Sequence, residues 1–562
     1  MSHARILDAL KPDVLKADRN GLRSLALACT LLVVLAALPL HAQVFQDLYD
    51  FNCSTGGCKP ADYGYLKQGK DGNLYGTTSE GGSHNAGTIF MVTPSSPVVY
   101  TDLYSFDGVT AAAPLDGLTL ASDGNLYGTT NGGGTHGVGT VFRFAPPPLS
   151  TFKVLHNFST VGPFVAPVQA KDGNLYGLTS NGLPYRVTLP AGTVTLLPPS
   201  LPRADISAPL LLASDGNLYG TSMTGGTFGG ISGFGTVFRM STTGAFTVLH
   251  NFTGISPDGA GPAGPLTQAS NGLLYGTTTS GGAGGFGVVF EMSLSGTYKT
   301  LHSFKSPTEG GEPVDGLLAA ADGLLYGATE TGGADGWGTL FKMSKAGVLT
   351  KLFDFTGKTG AVPGANPNTT LVAHTNGTFY GLTYFEGGAF GDGDIYSLTP
   401  PNPLSHIALC CSWWVILDQP VTILGENLTG VVSVDFGSVP AQFQPGSDTY
   451  LTAEVPSAAV DALITVTLAT GQQLESQQIV HILPKITNLD PSSGPVGTEV
   501  AIVGGGFKGA TEVTFGGVKA TSFTVVSPSL IRAVVPTGAK TGKASVTTHN
   551  GTATSKETFT VN

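Results

Sequence analysis

Charge is scarce in this sequence: Asp, Glu, Lys and Arg fill 12% of its 562 positions, and the 27 Lys and Arg never gather into a basic run. With 38 Asp and Glu the net charge is −11. A phosphate-binding surface needs clustered Lys and Arg to displace counterions, so nucleic acid is not an expected partner. Long apolar runs are missing as well. The one from Leu25 to Leu40 is about 16 residues, short of the roughly 20 that a spanning helix needs. There is no Walker A sequence, no HExxH and no nucleophile elbow; Gly538 to Lys543 contains a Gly-Lys but lacks the spacing and the following Ser or Thr. These absences count against an enzyme without deciding the matter, because sites can be assembled from residues far apart in sequence. No cofactor is expected. Cysteine is rare too, at five residues.

Glycine is abundant, with 80 residues against 36 prolines, while 41% of the chain is hydrophobic. That balance describes short strands joined by tight turns and argues against disorder. At the N-terminus Arg19 and Arg23 precede the apolar run, and Leu40-His41-Ala42 resembles a small-residue cleavage site. Residues 1–42 are therefore expected to be a cleavable signal peptide of bacterial-type export, with Gln43 opening the mature chain. The run is too short for an uncleaved anchor, and Cys29 has too little apolar sequence before it for a lipoprotein site. The expectation is a secreted or cell-surface protein, monomeric, with no membrane span after cleavage. Of the other cysteines, Cys53 and Cys58 could close a small loop in an oxidising compartment. For the adjacent Cys410 and Cys411, a strained bridge, free thiols and an intermolecular bond all stay open. Neither pair has nearby His or further Cys to complete a tetrahedral metal site.

One hexapeptide organises the centre of the chain. DGNLYG begins at Asp71, Asp123, Asp172 and Asp215, and recurs as NGLLYG from Asn271, DGLLYG from Asp322 and NGTFYG from Asn376. The seven starts are 52, 49, 43, 56, 51 and 54 residues apart, a period close to the roughly 40 to 50 of propeller blades. Each unit adds a Gly-rich stretch, a segment such as GTVF from Gly139, and an element such as VLHNF ending at Phe158; the third and seventh units are degenerate. In one unit, residues 118–122, 125–131, 140–144 and 152–158 are β-rich runs separated by turn residues, which makes four strands per blade. Asp-Gly between the first two runs is a hairpin signal, so the Asp is expected to be structural in every copy. The last unit ends at Tyr396 without a fourth strand, and residues 44–51, which contain Leu48-Tyr49-Asp50-Phe51, can supply it. A ring closed in this way leaves only short, protected edges, which an open solenoid would not.

These residues resemble the GloVer tandem repeat of bacterial extracellular proteins, over roughly residues 44 to 400. The resemblance implies an exported repeat protein with no established activity. After the Pro-rich junction at Pro400, Pro401 and Pro403, ITNLDPSSGPVGTEV from Ile486, VTFGGVKA from Val513 and LIRAVVP from Leu530 look like the IPT/TIG form of the immunoglobulin fold. VTILGENL from Val421, VDFGSVPA from Val434 and LTAEVP from Leu451 read as a diverged copy. The expected architecture is all-β: a seven-bladed β-propeller over 43–402, then two immunoglobulin-like (IPT/TIG) β-sandwich domains over 405–483 and 485–562. Such modules serve as spacers or adhesion domains, with spacer the default.

The repeated His156, His250 and His302 are expected to be structural, since a catalytic base needs one special environment. Tyr75, Tyr127, Tyr176, Tyr219, Tyr275, Tyr326 and Tyr380 are likewise expected to pack between blades rather than stack on sugars. Loops that differ between blades carry more information. Those between second and third strands contain His84, Glu80, His136, Phe228, Phe286, Glu330, Asp335, Trp337, Glu386, Phe390 and Asp392. Aromatics with carboxylates suit a glycan or a peptide, and Asp392 with Asp394 is a weak candidate for calcium. The expected function is a non-catalytic secreted or cell-surface protein that binds an extracellular glycan or protein on this loop face. The alternatives are a secreted propeller enzyme, a polysaccharide or streptogramin-type lyase or hydrolase, which the likeness of DGNLYG to the DGNLWF blades of streptogramin-lyase-like propellers keeps open, and a purely structural matrix protein.

Overall fold

Each Asp-Gly or Asn-Gly of the hexapeptide turns the chain between two strands, with the glycine at positive φ, as at Gly124 (81°), where a side chain would be strained. The computed structural model describes residues 43–562 apart from 61–63, 95–96, 203, 231–232 and 385–389. The expected signal peptide, residues 1–42, lies outside the described residues.

Among the described residues the hexapeptides generate seven antiparallel sheets, one for each copy. The second is typical, pairing Thr119–Leu120, Leu126–Thr130, Thr140–Ala145 and Thr151–Asn157 in that order. Its innermost strand is shorter than the sequence suggests, because the backbone of Ala121 already pairs with Asn125 across the turn. The degenerate third unit still builds four strands, from Val168–Gln169 to Thr193–Leu196. Val44–Asp50 pairs antiparallel with Asp394–Thr399 and completes the seventh sheet, so the two ends of the repeat region meet in one sheet.

The ring is packed by an aromatic relay. Except between the third and fourth sheets, the closing Phe of one sheet's outer strand sits edge-on against the third-strand aromatic of the next: Phe106 on Phe142 at 5.6 Å, Phe158 on Tyr185 at 5.6 Å, Phe252 on Phe290 at 5.5 Å, Phe304 on Phe341 at 5.7 Å and Phe355 on Tyr396 at 5.5 Å. Phe51 of the seventh sheet meets Phe90 of the first at 5.4 Å, which carries the relay across the seam. Such edge-to-face pairs stabilise by about 0.5–1.5 kcal/mol beyond the area they bury.

Two β-sandwiches follow, with cores gathered around Ile423, Phe436 and Val466 and around Ile502, Phe515 and Val546. One sheet of each has the same strand order. In the first, Ala408–Leu409, Pro420–Leu424, Tyr450–Glu454 and Phe443–Pro445 form one sheet; in the second, Lys485–Asp490, Glu499–Gly505, Leu530–Val534 and Phe523–Ser527 do. The only helical turn among the described residues is the short 3₁₀ segment Leu428–Gly430, and none of these residues belongs to a helix long and apolar enough to cross a membrane.

Candidate functional site

The ring has two faces, and the hexapeptide turns build one of them. The Asp carboxylate accepts the hydroxyl of the Tyr four residues on, in Asp71–Tyr75 (2.7 Å), Asp123–Tyr127 (2.8 Å), Asp172–Tyr176 (2.8 Å), Asp215–Tyr219 (2.8 Å) and Asp322–Tyr326 (2.7 Å). In NGLLYG the polarity reverses, and Asn271 donates to the Tyr275 hydroxyl at 2.8 Å. All seven tyrosines are buried, so they are packing groups whose hydroxyls lock the hairpin below them. Among the repeated histidines, His250 stacks on Tyr298 at 3.9 Å and approaches Asp258 at 3.3 Å, His302 approaches Glu309 at 3.2 Å, and His156 packs edge-on against Phe158 at 4.8 Å.

The first sandwich covers part of this hairpin face. Thr449 Oγ1 donates to the Lys70 carbonyl at 2.7 Å, Thr375 Oγ1 donates to Glu426 at 2.9 Å, and Lys171 Nζ lies 5.3 Å from the Trp414 ring. Cys410 and Leu424 join the apolar cluster of Leu120 and Phe144. The sulfurs of Cys410 and Cys411 are joined to one another, as are those of Cys53 and Cys58, at 2.02 Å for the latter. The Cys53–Cys58 bridge leaves neighbouring Glu80 to pair with Lys59 at 2.8 Å.

The opposite face carries the second-to-third loops. Register separates their residues into two sets. His84, His136, Phe228, Asp335 and Phe390 occupy one repeated tip position and are all exposed, Phe228 at 48% and Phe390 at 54%. Phe286, Trp337 and Asp392 stand two residues further along, at the position of Ala86, and are half-buried. There the backbone carbonyl holds the next sheet's connector: Glu312 N–H donates to Phe286 O at 3.0 Å, Asn366 N–H to Trp337 O at 3.0 Å and Lys59 N–H to Asp392 O at 2.9 Å. The Asp392 carboxylate also accepts the Cys53 amide at 3.0 Å. Glu330 is half-buried at the start of its loop, and Glu386 lies outside the described residues.

Two aspartates at the entry to inner strands escaped the sequence reading. Asp116 and Asp315 precede the first strands of the second and sixth sheets and are 1% and 7% exposed. Asp116 accepts the amides of Gly117 (2.7 Å) and of Ala166 in the next sheet (2.6 Å). Asp315 accepts Gly316 N–H (2.7 Å) and Thr370 Oγ1 (2.5 Å) through one oxygen, while its other oxygen has no hydrogen-bond partner among the described residues. Burial pushes the Asp315 carboxyl up to about 8 and that of Asp116 in the same direction, with Asp315 adding like-charge repulsion at Asp116. Tyr185 and Tyr396 take the place of Phe on the third strands; both are fully buried and neither hydroxyl has a hydrogen-bond partner among the described residues. Burial, then the carboxylates of Asp116 and Asp315 respectively, raises these phenols. Burial also pulls down the ammonium of Lys67, on the inner strand of the first sheet. The readable signal was the acid itself, in Pro114-Leu115-Asp116-Gly117 and Pro313-Val314-Asp315-Gly316, where the corresponding residues of the other sheets are Gly64, Val165, Ala208, Gly264 and Thr369.

The model of the Gloeobacter/Verrucomicrobia repeat matches residues 34–188 and 163–396, and that of the IPT/TIG domain matches residues 484–561. No curated protein matches the chain. Among solved structures it is similar to a streptogramin B lyase, at 15% identity over 64% of this chain and 98% of that one with a TM-score of 0.44. It is also similar to virginiamycin B lyase from Staphylococcus aureus, at 18% identity over 64% and 99% with a TM-score of 0.43. A third is a fungal alcohol oxidase of the AA5 family in complex with copper, at 14% identity over 78% and 99% with a TM-score of 0.46.

Proposed function

The chain belongs to the Gloeobacter/Verrucomicrobia repeat family, and from that footing we propose that it is an exported, non-catalytic binding protein that takes an extracellular glycan or protein on the loop face of its ring. The observation that carries this reading is the division between the two faces. The first sandwich sits against the hairpin face, where the residues repeat, while the opposite face presents five equivalent tips of different chemistry: two imidazoles, two exposed phenyl rings and a carboxylate, at His84, His136, Phe228, Phe390 and Asp335. Flat aromatic rings beside hydrogen-bonding groups are what a neutral sugar or a peptide needs for stacking and orientation. The sandwiches hold this face away from whatever the C-terminal end adjoins.

The test is a broad glycan array probed with the chain spanning residues 43–562, with each retained glycan examined afterwards for cleavage. Saturable binding that falls when Phe228→Ala and Phe390→Ala are combined, with the glycans intact, supports the reading. Absence of glycan binding removes the glycan arm and leaves protein recognition, to be sought by cross-linking. Cleavage moves the assignment to a secreted lyase or hydrolase. That second reading draws on Asp315, a buried carboxyl still able to donate a proton near neutral pH, and under it Asp315→Asn abolishes turnover while leaving binding in place.

A further inference from the structure

The seam departs from the other sheets at two positions at once. The third strand opens with Thr88, Thr140, Thr236, Val288 or Thr339 in five of the sheets, and four of these threonines share a hydrogen bond with a second-strand hydroxyl, as in Thr329–Thr339 at 2.8 Å. In the seventh sheet this position is Asp394, which keeps the Thr383 hydroxyl on Oδ2 at 3.2 Å. The outer strand adds Asp47 and Asp50. Their counterparts in the sixth sheet are Lys351 and Asp354, an ammonium and a carboxylate 2.7 Å apart. At the seam, therefore, a carboxylate replaces the neighbour's lysine and another replaces its threonine.

Ligand oxygens of Asp47, Asp50 and Asp394 all lie within 4.8 Å of one another. Asp394 is 1% exposed and its Oδ1 has no hydrogen-bond partner among the described residues. The Asp47 Oδ1 is buried in the same condition. Three carboxylates at this separation repel strongly in a low-dielectric setting, and the sixth sheet shows what relieves such a site: a positive charge on the aspartate. A cleft of about 420 Å³, whose wall includes Asp47, Pro94 and Pro97, opens beside the first of these carboxylates.

We propose that Asp47, Asp50 and Asp394 bind a divalent hard cation that clasps the N-terminal strand to the last sheet of the ring. Oxygen-only donors select hard cations, and calcium accepts an irregular shell completed by water more readily than magnesium does. The pair Asp392 and Asp394 picked out from the sequence does not form the site, since the Asp392 carboxylate is taken by the Cys53 amide at 3.0 Å; the partners of Asp394 come from the other end of the repeat region.

The experiment uses the chain spanning residues 43–562, stripped with EDTA and titrated with calcium chloride. Calorimetric titration is expected to give one calcium per chain, and saturating calcium to raise the unfolding midpoint by about 3 °C or more, with magnesium chloride giving less. Asp394→Thr restores the residue of the other sheets and should abolish the calcium response. Asp47→Lys installs the neighbour's cation, and should abolish the response while unfolding no earlier than the calcium-free parent. The second variant decides the matter should the first fail to fold. No stoichiometric binding at millimolar calcium to folded protein overturns the proposal, and so does binding that survives unchanged in Asp47→Lys.

Discussion

The ring holds aspartates of two kinds, and their surroundings are opposite. On the hairpin face Asp71, Asp123, Asp172, Asp215 and Asp322 each accept a backbone amide two residues on as well as the tyrosine hydroxyl four residues on. Every donor comes from the same hexapeptide, so the motif carries its own satisfaction wherever it is copied. At the axis and the seam, Asp315, whose position holds an acid in one other sheet as Asp116, and Asp394, whose position holds none elsewhere, are buried and keep an oxygen with no partner among the described residues. Burial pushes both carboxyls up to about 8, with Asp47 and Asp50 contributing at Asp394. A repeated residue has to suit every copy; one that departs from the repeat can be tuned to a single place, and that is where a cost in stability marks a use.

The comparison breaks first, and most visibly, with pH. Asp315 ionises near 3.8 when unfolded and near 8 when folded, so between those values the folded state holds the extra proton. Its contribution is therefore full at low pH, declines as pH rises through this window and levels off above about 8, a change of up to about 6 kcal/mol. Scanning calorimetry from pH 5 to pH 8 should show a falling midpoint whose slope becomes shallower in Asp315→Asn, with Asp394 supplying part of what is left; an unchanged slope in the variant would assign the effect elsewhere. Next in size, Tyr127→Ala empties a fully buried site and should lower stability by about 3–5 kcal/mol in urea unfolding. Asp123→Ala removes only the local lock on that tyrosine and should cost about 1 kcal/mol by the same measurement. The smallest effect belongs to the loop tips: His136→Ala and Asp335→Ala should change stability by no more than about 0.5 kcal/mol, while weakening retention on any glycan that the parent binds.

The hexapeptide made the ring legible because its spacing and its Asp-Gly turn are local, and the strand Val44–Asp50 could be matched to the unit that lacked one. Two things were beyond local reading. Phe286 and Trp337 look like loop-face aromatics until register shows them at the half-buried position that meets the next connector, where only their backbone is constrained by hydrogen bonding. Asp116 and Asp315 sit before Gly117 and Gly316 and read as ordinary turn residues; their burial arises because the inner strands converge on one axis, a property of the whole circle. The docking of the first sandwich was hidden for the same reason, since Thr449 meets Lys70 across most of the chain. The acids at the seam were partly visible, but Asp394 was paired with its sequence neighbour rather than with Asp47 and Asp50.

That docking places a mechanical joint over the chain's own closure. The first sandwich grips the first sheet through Thr449 and Lys70 and the seventh through Glu426 and Thr375, while Gln68 bonds Thr375 directly between those two sheets at 2.8 Å. A tug applied beyond the second sandwich arrives at the first and seventh sheets together, so tension draws the two sheets in the same direction instead of prising them apart.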